Sequence, residues 1–171
     1  NSGVKLSDVA ITPAYRSDGS GTTYIWTSYL STQSEEFKGK VGASKSVQWP
    51  AGQGGAQNAG VAAIVQQTVG GIGYIEQAYA DQNKIPYGAV KNKNGKFLKS
   101  SPEAVSAAGA GAMEMMKGDV IAADIWNQPG DTAYPIPGFT YVFIYKDLSN
   151  VKSKQQAEAL DMQRKLHAMA Q

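Results

Sequence analysis

The stretch "RSDGSGT", residues 16–22, is the junction on which the predicted fold of this chain depends. It follows residues 9–16, "VAITPAYR", which have the character of a β-strand, and it precedes a helical pattern that begins at about Thr22. An arginine, an aspartate, several hydroxyl side chains and two glycines therefore stand between a strand and a helix. The junction predicts either a turn that only caps the helix or a site for an anion.

The first alternative is a strand–turn–helix connection without a ligand. Ser17, Asp18 or Ser20 would accept a backbone N–H of the first helical turn, which is the usual work of a capping residue. The two glycines would then serve only to permit the turn. The spacing of these residues alone leaves this alternative open.

The second alternative is an anion site at the start of the helix. A helix N-terminus leaves backbone N–H groups unpaired and carries a partial positive charge. Gly19 and Gly21 would let the backbone approach a ligand. Ser20 and Thr22 would donate hydroxyl hydrogen bonds, and Arg16 would offer a planar two-pronged contact. These groups together suit phosphate or sulfate.

Asp18 is the one member of the motif that would repel an anion. We therefore expect its carboxylate to pair with Arg16 and to fix the orientation of the guanidinium. The motif is not a P-loop, because the Gly-Lys-Ser/Thr ending is missing. It is not the dinucleotide fingerprint either, because Tyr24 stands where the third glycine belongs.

Composition and charge exclude several classes of protein. The chain has 171 residues, a net charge of +2 with dispersed lysines, no cysteine and one histidine. Clustered basic residues, which nucleic-acid and membrane-surface proteins usually show, are missing, so no nucleic-acid partner is expected. One histidine without a ligand cluster predicts no metal and no cofactor. No nucleophile stands beside a base, and therefore no enzymatic activity is expected.

The rest of the chain alternates strands and helices without an internal repeat, which predicts a layered α/β fold. Pro13 places the first strand at a sheet edge or gives it a bend. The glycine-rich residues 51–60 are predicted to be a flexible loop capped by Asn58, with a second anion cradle as the alternative. The further predicted elements are a helix from Thr22 to about Leu30 that places Ile25, Trp26, Tyr29 and Leu30 on one face, a short polar helix within 31–44, a strand at 46–50, a helix at 61–69, a strand at 72–76, a hairpin at 86–100, a helix from 101 with Ser101 as its cap, a strand at 139–145 and a helix at 153–171.

Three longer stretches carry a resemblance to a known family. Residues 11–31, 46–97 and 131–147 closely resemble the substrate-binding proteins of ABC-type phosphate transporters. The resemblance implies one lobe of a type II periplasmic binding protein, with a mixed sheet flanked by helices. It implies that Arg16 is the charged phosphate contact and that Asp18 orients it. It also implies that Ser20, Gly21 (through its N–H) and Thr22 donate hydrogen bonds to phosphate.

The resemblance also implies how the chain is organised and with what it interacts. Residues 1–138 would form the second lobe of the family, and residues 139–171 a strand and a helix that return to the first lobe. Family members are much longer, so the chain would be part of a receptor. The implied partners are inorganic phosphate and the membrane permease of an ABC transporter, in the periplasm or another extracytoplasmic space. One departure is Ala56, where the family commonly carries a lysine.

Several alternatives and one consequence follow from this resemblance. One alternative to phosphate as the ligand is another tetrahedral oxyanion, such as sulfate or molybdate. Two alternatives to a transport receptor are a phosphatase that uses the same anion site and a structural or assembly module that has lost ligand binding. Because one lobe leaves apolar surface and the anion exposed, we expect a homodimer and phosphate binding in the range of about a millimolar or weaker.

Overall fold

A computed structural model describes residues 3, 8–112, 115, 116, 122–141, 158, 161 and 162 of the 171. The chain divides into two compact units, Asn1–Phe139 and Thr140–Gln171. The elements and contacts given below belong to the first unit. The boundary at 138 that the resemblance implies stays a prediction.

Strands and helices alternate through the first unit, which confirms the α/β class. The elements are β1 (Thr12–Arg16), α1 (Gly21–Gln33), α2 (Glu35–Lys40), β2 (Gln53–Gly55), α3 (Gln57–Gln67), β3 (Gly71–Gly73), α4 (Gln77–Gln82), β4 (Val90–Lys91), β5 (Phe97–Leu98) and α5 (Pro102–Ala112). β1, β2 and β3 form a parallel sheet in the order β2-β1-β3, and β4 pairs with β5 in an antiparallel sheet. Parallel and antiparallel pairing therefore both occur, in separate sheets of the described residues.

Of the two alternatives expected for Pro13, an edge strand or a bend, the edge position is wrong, because β1 is the central strand of its sheet. The bend stays a prediction. The Thr12 N–H donates to Gly70 on the β3 side, and the Ser17 N–H donates to Gly55 on the β2 side. Successive residues alternate between the two neighbours, so the nitrogen of Pro13 faces β2. That strand begins only at Gln53, opposite Ala14. A proline is tolerated there because the ladder has no bond to make at its nitrogen.

The glycine-rich segment is a strand and a helix, which corrects the predicted flexible loop at 51–60. Gly54 and Gly55 belong to β2, and α3 begins two residues later. The strand predicted at 46–50 is absent, since pairing with β1 starts at Gln53. α3 packs against all three strands of the parallel sheet. Its Val61 and Ala62 are buried together with Ala14 of β1, and these residues form the core beneath the sheet.

α1 is the helix that follows the "RSDGSGT" junction. Ser20 caps it by accepting the Thr23 N–H at 3.2 Å. Its most buried residues include Thr23 and Thr27, whereas Ile25, Trp26 and Leu30 of the predicted apolar face are only half-buried. Threonine is tolerated in the core here because the Thr27 hydroxyl donates to the Thr23 carbonyl at 2.8 Å.

Three further predictions that were based on local sequence signals are confirmed. The polar helix predicted within 31–44 is α2, which Ser34 caps by accepting the Phe37 N–H. The hairpin predicted at 86–100 is the β4–β5 pair, and Gly95 at its tip has φ +81°. The helix predicted from 101 is α5, with the Ser101 hydroxyl accepting the Ala104 N–H at 3.2 Å.

Predictions for the last part of the chain lie mostly outside the described residues. Residues 139–141 of the strand predicted at 139–145 are described and are not in a strand, and 142–145 lie outside. Of the helix predicted at 153–171, only residues 158, 161 and 162 are described, and all three are helical. The remaining residues predicted in that helix lie outside the described residues.

Candidate anion-binding site

The predicted site residues lie at the carboxyl edge of the parallel sheet. β1 ends at Arg16, and its chain passes through the turn to the first residues of α1. β2 leads directly to Asn58 in the first turn of α3, and β3 leads to Tyr74 and Glu76. Ligands bind outside the carboxyl ends of the strands in open α/β sheets. All three strands therefore deliver polar side chains to the place where this fold class binds its ligands.

Arg16 and Asp18 form a two-pronged ion pair within the turn. Arg16 Nε donates to Asp18 Oδ1 at 2.8 Å, and Arg16 Nη2 donates to Oδ2 at 2.6 Å. The Arg16 side chain is 11% exposed and that of Asp18 is 38% exposed. The carboxylate therefore holds one edge of the guanidinium, as the pairing expected from the sequence requires. The roles of both residues in binding phosphate stay predictions.

A second contact fixes the opposite end of the same guanidinium. Arg16 Nη1 donates to the Oδ1 atom of Asn58 at 3.3 Å. A guanidinium has five N–H donors. Asp18 accepts two of these N–H groups and Asn58 accepts one. The other two have no acceptor among the described residues. Those two donors can make a charge-assisted contact to an oxyanion.

The first turn of α1 supplies further donors beside the arginine. Ser20 is 3% exposed, and its hydroxyl accepts the Thr23 N–H, so its own proton is available to a ligand. In the part of the chain that the structure describes, the N–H groups of Gly21 and Thr22 have no hydrogen-bond acceptor. No atom lies within 4 Å of the place where a Gly21 Cβ would stand. The N-terminus of the helix is therefore open to a ligand.

Thr22 has a competing partner in this structure. Its hydroxyl donates to Glu76 Oε1 at 3.4 Å, a long and exposed contact. The hydroxyl would have to turn away from this carboxylate to donate to an anion. The backbone N–H of Thr22 does not depend on that rotation.

Electrostatics of the turn favour the ionised pair. The hydrogen bonds from Arg16, and next the backbone N–H of Gln57 at 3.0 Å, hold the pKa of the Asp18 carboxyl well below its usual range. The bond to Asp18 raises the pKa of Arg16 above its ordinary value. Because the two charges neutralise each other, a bound anion would depend on hydrogen bonds and on the helix dipole as much as on net charge.

Asp18→Asn is expected to make the protein less stable at neutral pH and to remove part of its acid sensitivity. A carboxyl whose folded pKa is depressed stabilises the fold above its unfolded pKa of about 3.9, and that contribution is lost as the pH falls below this value. The difference between parent and variant should therefore be greatest near pH 7 and should narrow below about pH 4. Urea unfolding followed by circular dichroism from pH 7 to pH 3 measures it.

Asp81→Asn is the matched control for this experiment, because Asp81 lies exposed on α4. It removes the same carboxylate charge without touching the turn. An equal pH-dependent loss in both variants would show that overall charge, and not the pair with Arg16, is responsible.

Three residues at the site were not anticipated from the sequence. Asn58 is the second residue of α3 and 6% exposed, so the prediction that it caps this helix is wrong. The Asp18 carboxylate, from across the site, accepts the N–H of Gln57 at the start of α3 instead. Tyr74 and Glu76 also reach the site. Tyr74 directly follows β3, and Asn58 and Glu76 come shortly after the ends of β2 and β3. The rule that ligands bind at the carboxyl ends of strands could have indicated all of them.

The aromatic residues near the site pack against one another. Trp49 stacks on Tyr15 at 5.5 Å between ring centroids, and Trp26 stacks on Tyr74 at 5.9 Å. Both tryptophans therefore pack against tyrosine rings of the sheet edge. Among residues 8–112 and the other described positions, no group of three or more His, Cys, Asp or Glu side chains could hold a metal. None of the helices described here is long and apolar enough to cross a membrane.

The fold and the donor set together define an α/β lobe with an open helix N-terminus and an oriented arginine at the carboxyl edge of its sheet. A family model described as the PBP superfamily domain matches residues 2–161. The chain belongs to the PBP superfamily.

Comparison with known proteins gives relatives within that superfamily. The chain is 45% identical over 147 residues to the phosphate-binding protein PstS of Pasteurella multocida, which covers 85% of this chain and 42% of the relative. It is 39% identical over 169 residues to the phosphate-binding protein PstS of Methanocaldococcus jannaschii, with 91% and 43% covered. It is 32% identical over 150 residues to the phosphate-binding protein PstS 2 of Mycobacterium tuberculosis, with 84% and 40% covered. The chain thus spans less than half the length of these relatives.

Proposed function

We propose that this chain binds inorganic phosphate at the N-terminus of α1, as part of the extracytoplasmic receptor of an ABC phosphate importer. One observation carries the proposal: Arg16, already oriented by Asp18, lies at the same sheet edge as the unpaired N–H groups of Gly21 and Thr22. The names of the relatives, phosphate-binding proteins, support phosphate as the ligand. We propose binding without chemistry, through hydrogen bonds from Arg16, Ser20, Gly21 and Thr22.

The affinity expected of this lobe follows from how much of a bound anion it would leave exposed to solvent. Its donors come from one side, and solvent screens charge contacts at an open surface. We therefore expect a dissociation constant of about a millimolar or weaker, which corresponds to about 4 kcal/mol of binding free energy. The permease partner, the extracytoplasmic location and a homodimer formed through exposed apolar surface are parts of the same proposal.

Titration of the isotope-labelled chain with phosphate, followed by amide NMR, tests the proposal. The amide signals of Gly21 and Thr22 should shift progressively and saturate, because their N–H groups would donate directly to the anion. Sodium chloride at the same ionic strength should leave those two signals in place. Shifts confined to residues 52–60 would place the anion at the other glycine-rich segment and contradict the assignment.

The same titration distinguishes the alternatives. Saturable shifts with sulfate at equal or higher affinity would indicate a receptor for another tetrahedral oxyanion. The absence of saturable shifts with either anion would indicate a structural or assembly module. Hydrolysis of p-nitrophenyl phosphate by the chain, dependent on added divalent metal, would indicate a phosphatase.

A further inference from the structure

Tyr74 makes a bridge at the candidate site that the proposed ligand contacts do not include. Its hydroxyl accepts the backbone N–H of Arg16 at 3.1 Å. The same hydroxyl lies 2.8 Å from the Oγ1 atom of Thr23, close enough for a second hydrogen bond. A tyrosine hydroxyl can donate one hydrogen bond while it accepts another. Tyr74 therefore joins the end of β1 to the first turn of α1.

The contact with Arg16 takes the place of a missing sheet hydrogen bond. The Thr12 N–H points toward β3, and the alternation along the strand turns the Arg16 N–H to the same side. β3 ends at Gly73, opposite Ala14, so no residue of that strand pairs with Arg16. The Tyr74 hydroxyl satisfies the N–H instead. The last residue of β1 is thus held by a side chain at the point where its own side chain turns toward the site.

The ring of Tyr74 is itself held in place. It stacks on Trp26 with ring centroids 5.9 Å apart and planes at 19°. It also lies 5.8 Å from Trp49. Aromatic contacts of this kind fix a ring between its neighbours. The packing of the ring therefore fixes the position of the hydroxyl beside Arg16 and Thr23.

We propose that Tyr74 is a positioning residue of the phosphate site, which sets the distance between the Arg16 guanidinium and the donors at the start of α1. Phosphate would contact both groups at once, so an error in their spacing would weaken one contact or the other. Tyr74 itself does not touch the ligand. The inference rests on the proposed function, because it has a measurable consequence only if the site binds an anion.

The test is the phosphate affinity of Tyr74→Phe, measured by the NMR titration. Phenylalanine keeps the stacked ring and removes only the hydroxyl. We expect phosphate binding to weaken about three- to tenfold, which corresponds to the net free energy of one hydrogen bond. Tyr29→Phe is the matched control, because the Tyr29 hydroxyl donates to the Lys91 carbonyl at 2.9 Å, away from the sheet edge. Its phosphate affinity should stay within about twofold of the parent.

Thr23→Val provides a second and independent variant. Thr23 is fully buried, and valine has nearly its shape while it lacks the hydroxyl that contacts Tyr74. This variant should weaken phosphate binding in the same direction. Added to Tyr74→Phe it should cause no further loss, because both changes remove the same bond. If Tyr74→Phe does not fold, the single Thr23→Val variant decides.

The outcomes separate this inference from the proposed function. A parent chain that shows no saturable shift with phosphate overturns the proposed function. A parent that binds, with Tyr74→Phe or Thr23→Val binding as tightly, overturns the positioning role alone. An equal loss in Tyr29→Phe also overturns that role, since it would show that any lost tyrosine hydrogen bond weakens the site through stability.

Discussion

Arg16→Ala is expected to weaken phosphate binding at least tenfold. The change removes the two guanidinium donors that remain beside Asp18 and Asn58. A hydrogen bond to a charged partner contributes about 1.5–3 kcal/mol, and about 1.4 kcal/mol corresponds to a factor of ten in affinity. The change also leaves the Asp18 carboxylate uncompensated at the site, where it would repel the anion. The NMR titration measures the affinity, and a variant that binds like the parent would contradict the site.

Two further variants divide this loss into its causes. Arg16→Ala combined with Asp18→Asn removes the uncompensated carboxylate and should recover part of the affinity. Lys45→Ala is the control for nearby positive charge, since Lys45 is exposed and its carbonyl accepts the Ser20 N–H. It should stay within about twofold of the parent. An equal loss in Lys45→Ala would mean that general charge attraction, and not the oriented guanidinium, holds the phosphate.

Gly55→Ala is expected to destabilise the first unit by about 3 kcal/mol, at the upper end of the cost of overpacking. A Cβ at this position would lie 2.5 Å from the Gly60 carbonyl carbon and 2.6 Å from the Val61 nitrogen. Both are backbone atoms of α3, so no side chain can rotate to relieve the clash. β2 and α3 would have to separate, and the core around Val61 would open. The free energy of unfolding in urea measures the loss.

Gly39→Ala is the matched control for the glycine prediction. Gly39 lies inside α2, and a Cβ there would meet no atom within 4 Å. Alanine in a helix interior is favoured over glycine by about 0.5–1 kcal/mol, so this variant should be slightly more stable than the parent. A loss in Gly39→Ala as large as that in Gly55→Ala would contradict the close approach as the cause.

Local signals explain which parts of the fold could be predicted from the sequence. The start of α1 at the "RSDGSGT" junction, the caps of α2 and α5, and the Asn-Gly hairpin each depend on residues within a few positions of one another. Capping and turn preferences act at that range. The pair of Arg16 with Asp18 was predictable for the same reason, since the two residues are separated by a single position.

The remainder depends on contacts between distant residues. β2 contains two glycines and has no strand propensity of its own; its pairing with β1 and its contact with α3 make it a strand. The central position of the strand that contains Pro13 is not predictable from the sequence, because the late start of β2 opposite Ala14 is not visible there. Asn58 and Tyr74 reach Arg16 from 42 and 58 positions away, and no periodicity within β1 or α1 predicts either contact.

The way in which Arg16 is held limits how this recognition unit could be transplanted. A peptide of residues 12–33 would contain every proposed phosphate donor in one continuous segment. It would lack the Asn58 amide and the Tyr74 hydroxyl, which restrain the guanidinium and the backbone of Arg16. Grafting the segment into a foreign scaffold therefore requires a host whose central strand has two parallel neighbours, one followed by an amide side chain and the other by a tyrosine. The unit that would have to be transferred is therefore the carboxyl edge of all three strands, and not the loop sequence alone.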